Sequence, residues 1–263
     1  MNSSGATIAV TMDSRLYLSV LSQAVAGHLA ALRVALRSLE DGSSMSKAAT
    51  PRPGAFLQFS FELPAGPDAA AAQLCNRCFV SVVGELVTYL DRMIAFKRFT
   101  SKQVPLPSGI TTPDAVLQLV QRLLDEEYAA VARDTSLSNP KKLGFFPGID
   151  PIARDSSLSY FSVRRCLEHH GGRPAEDLII WYGRLKLIAG DMEITQAGQA
   201  APPGVGISLG MDHTSRVLAA GAMVGLKEDE LEHIVFTVQN LIGPEVRRVL
   251  VEPLAAPSMP EVT

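Results

Sequence analysis

Three long stretches of this chain set apolar residues at intervals of three and four, and that period admits little besides helix. In SRLYLSVLSQAVAGHLAALRVALRSLE (14–40), Leu18, Leu21, Val25, Leu29, Leu32 and Leu36 fall on one stripe. Ser14 is placed to cap this segment and Gly42-Ser43-Ser44 to end it. A second helix is expected from Asp68 to about Phe99, with a seam of Leu74, Cys78, Val82, Leu86 and Leu90. A third opens with Thr112 as cap and Pro113 in the first turn, and carries Leu117, Val120, Leu124, Tyr128 and Val131 on its apolar face.

The remaining segments are shorter. AFLQFSFEL (55–63) alternates apolar and polar residues and reads as a strand, closed by PAGPD. DSSLSYFSVRRCLEHH reads as a shorter helix, centred on 157–170 and stopped by Gly171-Gly172. LIIWYGRLKLI and MEIT read as a small antiparallel hairpin or meander, QAGQAAPPGVGISLG as loop, and HTSRVLAAGAMVGL as a further helix. KEDELEHIVFTVQNLIGPEVRRVLV reads as a last helix, whole or broken. The sum is a mainly α fold: a helical bundle with a small β hairpin or meander appended. Residues 1–65 form an N-terminal helix-and-strand extension, 66–199 the helical core with its hairpin, and 200–263 a C-terminal helical extension. All three are expected to pack as one globular unit.

Composition narrows the function classes. With 263 residues, 47% of them hydrophobic, the chain can bury a sizeable core. A formal charge of −3 excludes a generally basic, duplex-coating surface, yet leaves room for a compact site that handles one or two phosphates. Three cysteines, an odd number in a long chain, point away from a disulfide framework and toward a reducing, cytoplasmic setting. No stretch offers the roughly 18 uninterrupted apolar residues of a membrane span, and MNSSGATIAVTMDSR lacks the basic start of a signal peptide. No membrane association is expected.

The segment most suggestive of chemistry is VRRCLEHHGG (163–172). At about 100° per residue, Tyr160, Val163 and Leu167 share the side that faces a core. Arg165 and His169 lie within about 40° of each other on the opposite side, with Arg164 on one flank and His170 on the other. The helix end favours protonated imidazoles, while the arginines oppose them. A histidine under such opposed influences suits proton transfer near neutrality. The ordinary alternative is a charged helix terminus in which Arg164 pairs with Glu168, four residues on.

V-R-R-C-L-E-H-H-G-G resembles the Arg-x4–6-His signature of the HEPN superfamily, whose bacterial uncharacterised members read like V-R-N-C-[IV]-V-H-N-x-G. Arg164 matches the motif arginine, His169 the motif histidine, and Gly172 the glycine. His170 stands where asparagine is common, and LKLIAGDMEIT resembles the hairpin that follows in those members. The likeness covers roughly residues 70–195. At position 165 this chain departs from the pattern, with Arg165 where Asn, Asp or His is usual.

The resemblance implies a helical homodimer in which two Arg/His sets line one cleft and cleave RNA without a metal. His169 would act as base, Arg164 as phosphate clamp, and Arg165 and His170 as accessory substrate contacts. RNA or a nucleotide, and an antitoxin-like or other protein partner, are the implied partners, with no cofactor. A non-catalytic helical dimerisation module is the alternative. A weaker one is a small-molecule or metal-binding helical protein using Cys75, Cys78 and the histidine pair.

The other candidates have plainer readings. Cys75-x-x-Cys78 lies within a strongly periodic helix and lacks a second close pair, so buried thiols are expected rather than zinc ligands. His213 is expected in a loop, His233 on a helix surface, and His28 packed or solvent-tipped. Asp125-Glu126-Glu127 reads as a solvated face. GAMVG and PPGVG lack the Lys-Ser/Thr of a phosphate loop, and neither a nucleophile elbow nor HExxH occurs.

Overall fold

The computed structural model describes residues 14–40, 67–102, 112–192 and 204–251, with single positions between 104 and 110. The strand expected at 55–63 lies outside the described residues. The protein is mainly helical with one two-stranded antiparallel sheet. In chain order the elements are α1 (Ser14–Glu40), α2 (Pro67–Thr100), α3 (Pro113–Arg133), α4 (Asn139–Leu143), α5 (Pro151–His169), β1 (Leu178–Met192), β2 (Gly204–Leu218), α6 (Glu228–Thr237) and α7 (Gly243–Val251). A single π-helical turn, Val238–Ile242, joins α6 to α7.

The 34-residue helix α2 is the spine. Phe79, Val82, Val83, Leu86, Leu90, Met93 and Ile94 are fully buried at three-to-four spacing, so its core stripe broadens around the helix. It packs against α1, α3, α4, α5, α6 and α7. α1 lays Leu21, Val25 and Leu32 on it, as the sequence period requires. α1 is also the one described helix that is long and apolar enough to cross a membrane. α3 buries Leu119, Leu124 and Val131, whereas Leu117, expected on the apolar face, is 65% exposed. The stripe is narrower than the sequence indicates because α3 packs chiefly on α2 alone.

A buried ion pair fixes the short helix α4. Lys142 Nζ lies 2.6 Å from Asp91 Oδ1 on α2, and both residues are buried. Removing one partner of such a pair strands the other, at a cost of about 3–5 kcal/mol. Lys97 adds a hydrogen bond of 2.5 Å to the Phe145 carbonyl just beyond α4.

α5 starts earlier than its apolar period indicates. Asp150 caps it by accepting hydrogen bonds from the Ile152 and Ala153 amides, and Pro151 fills the first helical position. Tyr160 meets Phe79 edge-on, ring centres 6.0 Å apart, joining α5 to the spine.

The sheet overturns two expectations. HTSRVLAAGAMVGL is not a helix: His213–Leu218 complete β2, and 219–226 are irregular. Gly204–Gly210, expected as loop, are also strand. β2 pairs with β1 over fifteen residues, from Leu178 opposite Leu218 to Met192 opposite Gly204. The physical reason is partnership, because β1 supplies backbone donors and acceptors along the whole segment. Alternation then sets its faces, with Leu218 buried and Val217 58% exposed.

The base of the ribbon docks on α5 and α6. The Trp181 amide donates to Ser159 Oγ at 3.1 Å, and the Gly183 amide to Thr237 Oγ1 at 2.6 Å. The Arg216 guanidinium reaches both oxygens of buried Glu230, at 2.7 and 2.6 Å. Glu230 also accepts from the Lys227 amide at the start of α6. Beyond α6 the helical path continues without a gap through the π turn into α7, one of the two forms expected. Gly243 follows the π turn, where an added Cβ would stand 2.6 Å from Leu18 Cδ1 and 3.1 Å from the Val238 carbonyl.

Candidate functional site

The C-terminal half of α5 forms one wall of a groove, and the turn into α4 forms the other. Arg164, Arg165, Glu168 and His169 face Ser138, Asn139 and Pro140 around a space of about 450 Å³, with Phe161 at its base. Three of the four residues singled out in the sequence therefore share this groove. The fourth, His170, lines a neighbouring recess of about 240 Å³ with Pro174 and Glu176, and Arg165 borders both.

The two arginines differ in their freedom. Arg164 is half-buried; its Nε donates to Glu168 Oε1 at 3.0 Å, and an added Cβ on Gly84 of α2 would lie 3.7 Å from its Nη1. That is ordinary van der Waals contact, so the guanidinium lies against α2 without depending on the glycine. Arg165 is exposed and makes no ion pair among the described residues. The helix geometry that sets Arg165 beside His169 and the i,i+4 pairing of Arg164 with Glu168 are both present. His169 is exposed on the groove's rim.

The Gly-Gly stop works as expected and adds a tertiary role. Gly171 and Gly172 both have positive φ, +59° and +73°, and the His170 and Gly172 amides both return to the Cys166 carbonyl. The Gly172 carbonyl then accepts from the Val224 amide at 2.8 Å, tying the helix end to the loop after β2.

His213 is not in a loop. It sits on β2, stacked on Trp181 with ring centres 4.7 Å apart, and its Nε2 lies 3.1 Å from Ser156 Oγ. Burial holds its pKa below the usual imidazole value, against the opposing charges of Asp155 and Asp150. Ser156 is fully buried, so the pair clamps α5 to the sheet and offers no nucleophile to solvent. No local signal joins these two residues, since they meet only when the ribbon docks. His233 stacks on Tyr182 at 5.7 Å, and His28 lies 3.4 Å from Glu85, with its side chain 36% exposed.

Cys75, Cys78 and Cys166 are free and buried. Burial pushes the thiols of Cys75 and Cys78 up to about 11, leaving them protonated at neutral pH. Among the described residues no three His, Cys, Asp or Glu side chains are grouped to hold a metal ion.

Fold and groove together describe a mainly helical protein whose candidate site, at one helix end, brings two arginines, a glutamate and an imidazole to one small groove. No family model, no curated protein and no solved structure matches the chain.

Proposed function

We propose that this chain is a HEPN-like protein that binds RNA or a nucleotide in the α5 groove and, as a homodimer, cleaves RNA without a metal. The observation that supports this reading is the convergence of Arg165 and His169 on one groove beside a glycine-stopped helix end. His169 takes the proton from a ribose 2′-hydroxyl, which attacks the adjacent phosphorus. Arg165, which makes no ion pair among the described residues, stabilises the charge that grows on the phosphate oxygens, the part that the family pattern gives to Arg164. Arg164, held by Glu168, fixes the wall. The 5′-oxygen leaves and takes a proton from the imidazolium of His169 or from water, giving a cyclic phosphate and a 5′-hydroxyl. Two copies supply two such sets to one linkage.

A second reading, a non-catalytic dimerisation module, is favoured by one feature: the motif arginine is already neutralised by Glu168. Incubating the purified chain with mixed RNA in EDTA separates the two. Cleavage that falls at least about a hundredfold in His169→Ala, with an unchanged circular-dichroism spectrum, supports the nuclease. Intact RNA together with a dimer weakened by Arg165 substitution selects the module.

A further inference from the structure

On the far side of the α5 terminus, between α2 and the 219–226 loop, lies a second and larger cleft of about 960 Å³. We infer that it binds a small amphipathic anion: a carboxylate carried on an unbranched apolar chain. The volume falls within the roughly 300–1,000 Å³ typical of small-molecule pockets. Its walls are apolar, formed by Val80 of α2, Leu167 of α5, and Met223 and Val224 of the loop. Met223 is 58% exposed, an unusual position for a large thioether unless something covers it.

The cleft is preformed. Asn76 locks its loop, donating from Nδ2 to the Val224 carbonyl at 2.7 Å while Oδ1 accepts from the Leu226 amide at 3.2 Å. Arg173 Nη1 donates to the Gly221 carbonyl, and the Gly221 amide to the Pro174 carbonyl, both at 2.8 Å. Small residues keep the floor open. A Cβ at Gly172, which has positive φ, would stand 3.1 Å from Met223 Sδ.

Charge and shape choose the occupant. Gln73, Arg77 and Ser81 recur every four residues, so they form one polar line along the α2 rim. Arg77 is the one charged side chain lining the cleft, is exposed, and makes no ion pair among the described residues. Among the described residues no carboxylate and no aromatic ring lines the space. A nucleotide would find neither a stacking surface nor a second cation, and a neutral lipid would leave Arg77 unused. From Ala69 to Ser81 the helix rises ~18 Å, enough for an alkyl chain of about ten carbons laid along it.

The test is fluorescence of 1-anilinonaphthalene-8-sulfonate, an apolar body with one anionic group, added to the full chain and displaced by decanoate or decanol. Saturable one-site binding is expected, with decanoate displacing the probe at least about tenfold better than decanol, the usual worth of one charge-assisted contact. Arg77→Gln should remove that preference and leave decanol within about twofold. Gln73→Trp, on the exposed rim, should fill the cleft and weaken both competitors about tenfold, with unchanged circular dichroism and melting temperature. Absence of saturable binding overturns the inference, as does a decanoate preference that survives Arg77→Gln or a Gln73→Trp variant that binds as before.

Discussion

Glu168 decides how much positive charge the α5 groove presents. It accepts from Arg164 Nε at 3.0 Å, and its side chain is one-third exposed, so the pair is weak in energy yet cancels a charge where a phosphate would sit. Glu168→Gln should therefore raise affinity for single-stranded RNA roughly three- to tenfold at low salt, and the gain should vanish in high salt, as read by fluorescence anisotropy. Unchanged affinity would mean that Arg164 does not face the RNA. His213 makes a different prediction. Burial depresses its pKa, so between the folded and unfolded values the unfolded chain binds more protons. Stability is full above the ordinary imidazole value of about 6.5 and falls as pH drops through the window below it. Thermal melts between pH 7.5 and 5 should show this loss, and His213→Gln should flatten the curve within that window. Of these residues the sequence gives the Arg164–Glu168 spacing directly. It gives nothing of the His213–Ser156 contact, which joins a strand to a helix far along the chain.

At the scale of elements, the ribbon hangs on a few polar anchors as much as on apolar burial. The Gly183 amide is buried and donates to Thr237 Oγ1, and Thr237 itself is fully buried. Thr237→Val keeps the shape and removes the acceptor, so the stranded amide should cost about 1–3 kcal/mol, read as a lower urea midpoint at constant m-value. A loss below about 0.5 kcal/mol would show that the ribbon shifts to find another partner. The long helices were legible because each writes its own period. α5 began before its period because Asp150-Pro151 is a start signal that carries no apolar residue. Gly204–Leu218 misled because strand pairing, not local preference, selects its conformation.

At the scale of the molecule, one contiguous core runs from Leu21 of α1 to Val246 of α7, with α2 through its middle. The proposed nuclease needs two such molecules, since among the described residues one groove offers a single cation without an ion pair and a single imidazole. Sedimentation equilibrium should show a dimer, and a cross-link through cysteine placed at position 169 should join the two copies. A monomer at every concentration, still cutting RNA, would refute the paired-groove mechanism. The sequence by itself determined the helical class, the spine, and the presence of arginine and histidine beside a glycine stop, because those depend on residues within a turn or two of one another. Tertiary structure alone decided what stands across the groove and where β2 pairs. Each of these turns on Asn139 or β1, positions that adjoin α5 or β2 only once the chain has closed around α2.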